Sequence, residues 1–191
     1  MTTLFSRGSR KTSPIPAGTW AADPAHSTVG FSVKHLGIAT VRGSFGAFSG
    51  TLSVGDDLAA SRIEGSIEAT SVDTNEPQRD DHLRSADFFD VANHPQITFV
   101  AETLRQRDDE EFEIDGSLTM HGVTRPVRLD AVVQGLETDP WGQDRVGLEI
   151  TGQLSRGDYG MKFNQVLGSG NVLVSDRVKI SLDMSLVRQA D

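Results

Sequence analysis

From Gly18 to the C-terminus, apolar side chains recur at every second position through most of the chain. Val29, Phe31 and Val33 alternate with Thr28, Ser32 and Lys34, and Ile97, Phe99 and Ala101 alternate with Thr98, Val100 and Glu102. In the last run Val178, Ile180, Leu182, Met184 and Leu186 share one phase, while Lys179, Ser181, Asp183 and Ser185 share the other. A period of two places alternate side chains on opposite faces of a strand, so each run reads as a half-buried β-strand. Further runs near residues 39–54, 61–72, 111–120, 125–135 and 145–155 complete a set of about eight strands joined by short turns. Strands in that number without intervening helices predict a sandwich or a closed antiparallel barrel.

One segment breaks the rhythm. Asn75-Glu76-Pro77-Gln78 has the form of a helix start, with Asn75 as N-cap and Gln78 three positions on. The sequence RDDHLRSADFFD that follows can form two or three turns, bringing Leu83 near Asp87 or Phe88. It is too polar for a core helix and reads as a lid or plug across one end of a barrel. Arg79 and His82 share a face of this helix, with Asp80 between them. Arg79 can receive an anionic or carbonyl head group, or it can pair with Asp80 and pin the helix to the barrel.

Glycine occupies the apolar phase of five strand segments, with large side chains two residues to either side. These are Val41-Gly43-Phe45, Phe48-Gly50-Leu52, Ile63-Gly65-Ile67, Ile114-Gly116-Leu118 and Ile150-Gly152-Leu154. A glycine within a strand packs nothing and costs backbone entropy, so something must compensate. One account is curvature, because inward glycines relieve crowding where barrel strands bend. The other is volume: an inward glycine leaves space that a bound molecule can fill. An eight-stranded barrel is the size that is either filled by its own side chains or holds one small ligand. The nine phenylalanines against one tyrosine bring apolar area without a hydroxyl that needs a partner, which suits a hydrocarbon ligand.

Charge and composition remove several other classes. A net charge of −9 and a pI near 5.0 argue against a nucleic-acid partner, whose phosphates call for clustered Lys and Arg. With no cysteine, thiolate catalysis, Cys-ligated zinc and iron–sulfur clusters are excluded. No stretch approaches the ~20 apolar residues of a membrane span. Residues 1–15 read as a disordered tail, with Arg7, Arg10 and Lys11 as a weak electrostatic tether, and residues 16–191 as one domain. The N-terminus has no apolar run behind its basic residues, so a cytoplasmic location is expected. Asp108-Asp109-Glu110-Glu111 reads as a solvated hairpin tip. The five histidines, His26, His35, His82, His94 and His121, form no HxH or HExxH spacing, so no metal is expected. GxSxG, GxGxxG and GxxxxGK[ST] are all absent, and no catalytic residue or cofactor is assigned.

Taken together, the ordered motifs resemble the YceI-like polyisoprenoid-binding family over about Thr19 to Val187. The residues that carry the resemblance begin with Trp20-x-x-Asp23-x-x-His26-Ser27-x-x-x-Phe31-x-Val33-x-His35, then Val41-Arg42-Gly43-x-Phe45 and Phe48-x-Gly50. They continue with Arg79-Asp80-x-His82-Leu83, Asp87-Phe88-Phe89-Asp90 and His94-Pro95-x-Ile97-x-Phe99. Gly116-x-Leu118-Thr119-x-His121-Gly122-Val123-Thr124 and Arg156-x-Asp158-Tyr159-Gly160-Met161 complete the series. The resemblance implies a lipocalin-like, eight-stranded antiparallel barrel that takes up a polyprenyl lipid or quinone tail, and a homodimer as one form of the family.

From the apolar phase, the expected lining is Phe31, Phe45, Phe48, Ile63, Ile67, Phe99, Ile114, Leu118, Ile150, Ile180 and Leu182, with Gly65 and Gly116 giving room. Phe88 and Phe89 are expected to close one end, and Arg79, His82 or Arg156 to meet the head group. The favoured reading is non-catalytic binding and carriage or storage of a long-chain isoprenoid. Two others stay open: an enzyme acting on a lipid or quinone at the barrel mouth through its His and Asp side chains, and a filled, ligand-free assembly or stress module.

Overall fold

The computed structural model describes residues 13–190. Among these residues, eleven strands follow one another with a single α-helix between the sixth and seventh. They are β1 (Gly18–Ala22), β2 (Thr28–His35), β3 (Ala39–Phe45), β4 (Phe48–Val54), β5 (Arg62–Glu68) and β6 (Val72–Asp73). The helix α1 spans Pro77–Arg84 and is followed by β7 (Gln96–Gln106), β8 (Glu111–Met120), β9 (Val123–Thr138), β10 (Asp144–Ser155) and β11 (Val174–Arg188).

Eight of the strands close a ring in the order β1-β4-β5-β7-β8-β9-β10-β11, and β11 pairs back onto β1. Closure removes the free edges that an open sheet would expose. Of the sandwich and the closed antiparallel barrel that the alternation allows, the barrel is the one present. The three further strands arise because β11 is long enough to take two partners: residues 186–188 pair with β1 and residues 174–183 with β2. Strand β3 then adds to β2, and the two-residue β6 adds to β3.

The alternation decides which side chains face inward. In β8, Phe112 and Ile114 are buried in the core cluster with Ala131 and Leu129, their direct partners on β9. The register breaks between Ala101 and Thr103 on β7 and between Gly147 and Leu148 on β10. Such bulges increase the local twist and help a sheet curl shut.

One end of the barrel, the hairpin end, carries the β7–β8 and β9–β10 turns and is covered from below by the N-terminal segment. Ile15 is buried there, and the fully buried Trp20 donates from Nε1 to the Pro16 carbonyl at 3.1 Å. Among the described residues the first buried one, Ile15, lies one position ahead of the boundary expected at 16, and residues 1–12 of the expected tail fall outside the described residues. Nearby, Arg145 bridges Asp23 (2.7 Å) and Asp139 (2.9 Å) on the outer surface. Asp108, Asp109 and Glu110 are exposed at the tip of the β7–β8 hairpin, as expected. No helix among the described residues is long and apolar enough to cross a membrane.

Candidate functional site: an apolar cavity under a short lid

The other end, the lid end, is where β10 leaves the ring, β8 turns into β9, and α1 lies across the opening. The helix begins one residue later than the sequence suggests. Glu76 is its N-cap, accepting from the amides of Gln78 (3.2 Å) and Arg79 (2.6 Å), whereas Asn75 has a left-handed backbone (φ 59°). Pro77 at the first helical position explains the shift, because its ring fits N1 and has no N–H to satisfy. The helix also stops earlier, at Arg84, so Phe88 and Phe89 sit in the turns that follow it. Both point down into the barrel, with Phe89 edge-on to Phe45 at 5.6 Å and Phe88 tilted against Phe163 at 5.4 Å.

The lid is held by buried polar contacts. Asp80, 7% exposed, accepts from the Thr74 amide (2.8 Å) and hydroxyl (2.6 Å). Arg79 donates from Nε to the same hydroxyl (2.7 Å) and from a terminal nitrogen to the Thr74 carbonyl (2.8 Å). Arg84 donates to the carbonyls of Thr70 and Val72. The pinning role considered for Arg79 is therefore present, but it runs through Thr74 rather than directly through Asp80. Arg79 does not line the cavity, and its assignment to a head group is corrected on that ground; two of its five N–H donors are held by Thr74. His82 is corrected likewise, since its Nε2 pairs with Asp87 at 2.8 Å and its ring packs on Phe88 and Phe163, outside the cavity wall.

Inside the barrel is a cavity of about 290 Å³ whose wall is apolar almost throughout. Its sides include Phe31 from β2, Phe45 from β3, Phe48 from β4, Ile63, Gly65 and Ile67 from β5, and Phe99 from β7. The circuit continues through Ile114 and Leu118 on β8, Ile150 on β10, and Ile180 and Leu182 on β11. Phe88, Phe89 and Arg156 line it at the lid end. Ile15, Leu52, Leu104, Phe112, Leu129 and Leu148 also contribute and were not among the expected set. Phe112 shares the phase of Ile114, so its signal was present. Leu104 was hidden, because the bulge after Ala101 reverses the in–out phase within β7.

The glycines divide. A methyl added at Gly43 would lie 2.4 Å from the Phe31 ring, at Gly116 2.4 Å from the Phe99 ring, and at Gly152 2.5 Å from Leu129. Neighbouring side chains already occupy those spaces, so Gly116 gives room to Phe99 rather than to a ligand, and its place in the expected lining is corrected. At Gly50 and Gly65, direct partners on β4 and β5, the nearest atoms would be 3.6 Å and 3.8 Å away. Both line the cavity.

Arg156 is the charged exception. It is 5% exposed and donates to the backbone carbonyls of Met161 (2.7 Å), Ser175 (3.1 Å) and Val174 (3.3 Å). Its guanidinium lies 5.8 Å over the Phe88 ring. Among the described residues no carboxylate forms an ion pair with it, and burial draws its pKa below the ordinary arginine value, with Asp176 partly opposing.

The histidines are not all dispersed. His94, in the turn before β7, and His121, in the β8–β9 turn, meet edge-on with ring centroids 5.2 Å apart. Asp90 joins them, and one ligating atom of each lies within 4.8 Å of the others. Separations of 27 residues between the histidines and 4 between Asp90 and His94 gave no recognisable spacing, since only barrel closure brings the two turns together.

Residues 20–186 match the YceI-like domain. The chain belongs to the YceI-like family. Within that family it is 42% identical to Protein YceI of Escherichia coli O157:H7 over 138 residues, which is 72% of each chain. Its barrel superposes on that of Burkholderia cenocepacia BcnA with a TM-score of 0.74 at 21% identity, covering 86% of this chain and 98% of BcnA. A polyisoprenoid binding domain from Saccharophagus degradans, implicated in plant cell wall breakdown, gives 0.69 at 17% identity, covering 89% and 98%. The Asp23-x-x-His26-Ser27 opening has a structural use here: Asp23 caps a 3-10 turn, pairs with Arg145 and His26, and Ser27 exchanges hydrogen bonds with Ser185.

Proposed function

We propose that this protein binds a long-chain isoprenoid lipid, a polyprenyl lipid or an isoprenoid quinone, and carries or stores it without covalent chemistry. The observation that carries this reading is the apolar cavity of about 290 Å³ running under the lid. An apolar cavity of about 150 Å³ takes up a benzene, so this one accommodates on the order of a dozen carbons. Each buried methylene gains roughly 0.8 kcal/mol, which lets a few isoprene units offset the cost of immobilising the lipid. Membership of the YceI-like family and the likeness to a polyisoprenoid binding domain support the same ligand class.

Arg156 supports an orientation with the polar head at the lid end. Each of its nitrogens makes one hydrogen bond to a carbonyl, and a guanidinium has five N–H donors. Two donors therefore remain for oxygens of a head group, in a setting where a negative charge would find a cation not yet neutralised. The test is native mass spectrometry of the purified full chain, then organic extraction and identification of what is released. An isoprenoid at one per chain is expected. A protein that is empty and also rejects added polyprenol and quinone would contradict the reading.

A further inference from the structure

We infer that Asp90, His94 and His121 form a binding site for a divalent transition metal, zinc in the first instance, that ties the lid to the β8–β9 turn. Two imidazoles and one carboxylate are the donor set of three-ligand zinc sites that keep a fourth position for water. The three ligating atoms here lie within 4.8 Å of one another. A tetrahedral ion with bonds of about 2.1 Å needs its ligands about 3.4 Å apart, so a closing of at most about 1.4 Å by side-chain rotation completes the geometry.

Two of the three donors are held by contacts of their own. His121 Nδ1 lies 2.9 Å from the Tyr159 carbonyl. A carbonyl only accepts, so Nδ1 carries the proton and Nε2 presents its lone pair, which is the arrangement usual for a metal-ligating histidine. Both oxygens of Asp90 accept from the Asn93 amide, at 3.1 and 2.9 Å, a second-layer contact that fixes the carboxylate. Gly122 allows the close approach of His94, whose ring would lie 2.6 Å from any added Cβ. Asp90 and His121 both hold left-handed backbones, φ 47° and 52°.

The site's position gives it a consequence. Asp90 directly follows Phe89, which lines the cavity, while His121 belongs to the barrel wall's own turn. A bound ion would therefore fasten the segment that closes the cavity to the rim beneath it. The inference does not depend on the identity of the lipid.

The experiment uses the untagged full chain, stripped of metal with a chelator and titrated with Zn²⁺ in competition with a chromophoric chelator. One zinc per chain is expected, together with a rise in Tm on zinc addition. His94→Ala and His121→Asn should each weaken binding at least tenfold and abolish the Tm rise; Asn tolerates the left-handed backbone at 121. His26→Ala and His35→Ala should bind as the parent does. Zinc-edge X-ray absorption of the parent protein should give two imidazole nitrogens at about 2.0–2.1 Å, which tests the site even if a variant misfolds. No stoichiometric zinc in the parent, a coordination shell lacking two imidazoles, or unchanged affinity in both folded variants would overturn the proposal.

Discussion

Gly50 and Gly65 face each other across β4 and β5, while Gly43, Gly116 and Gly152 lie on other parts of the same inner wall. An added methyl would meet nothing closer than 3.6 Å in the first pair, but a side chain at 2.4 or 2.5 Å in each of the other three. All five occupy the same apolar phase with large neighbours two residues away, so local sequence does not separate them. Phe99 shows how the difference arises. It is the direct partner of Gly65 on one side and of Leu118 on the other, yet its ring leans over Gly116, diagonally placed on β8. One ring orientation therefore closes the wall at Gly116 and leaves it bare at Gly65. A strand glycine serves as a slot for a neighbour's ring in one region and as open cavity wall in the other.

Substitutions should separate these two kinds of glycine, first by stability. Gly116→Ala drives a methyl into the Phe99 ring and to 2.8 Å from the Val100 carbonyl oxygen. Overpacking of that kind costs about 1–3 kcal/mol, to be read from urea unfolding. Adding Phe99→Ala should recover part of the loss, a coupling that a double-mutant cycle would quantify. Simple additivity would remove Phe99 as the filler.

Gly65→Leu is expected to leave the barrel folded and to reduce uptake of an added prenol at least tenfold, because its side chain enters the bare part of the cavity. Circular dichroism together with a binding titration checks both halves. Unchanged uptake would show that this stretch of wall is not where the chain lies. The milder Gly65→Ala should stabilise by about 0.4–1 kcal/mol, since it restricts the unfolded chain without a clash. A loss of stability there would erase the distinction between the two sets.

The smallest effect concerns acid, and it calibrates the others. The Arg145 guanidinium, with His26, holds the Asp23 carboxyl at about 2 against an ordinary 3.8. The lowered value means this pair supports the fold fully above the ordinary carboxylate range and loses that support as pH falls from about 4 through about 2. Asp23→Asn should flatten the fall in Tm across that window, while the wall variants should leave the fall unchanged because Asp23 lies outside the barrel. A shifted acid limb in Gly65→Leu would mean the change had spread beyond the cavity.

Most of the barrel was legible because alternation in β2, β5, β7, β8, β10 and β11 writes the in–out phase directly into the residues. The lining residues named from that phase, from Phe31 to Leu182, line the cavity except where a glycine's space belongs to a neighbour. What stayed hidden was set by contacts between distant segments. The bulge that turns Leu104 inward has no sequence mark of its own. Arg79 and Arg156 are both arginines near the lid, but only the structure shows one hydrogen-bonded to Thr74 and the other buried at the cavity's edge. The meeting of His94 with His121 depends on barrel closure, which no spacing encodes.

The proposed carriage of an apolar chain is tested most directly by calorimetric titration of the purified protein with geraniol, farnesol and geranylgeraniol. A cavity of about 290 Å³ predicts affinity that climbs with each isoprene unit while methylenes are being buried, then flattens by about the third unit as the space fills. Affinity that is negligible for all three, or that does not vary with chain length, would contradict the proposal that the barrel interior receives the lipid.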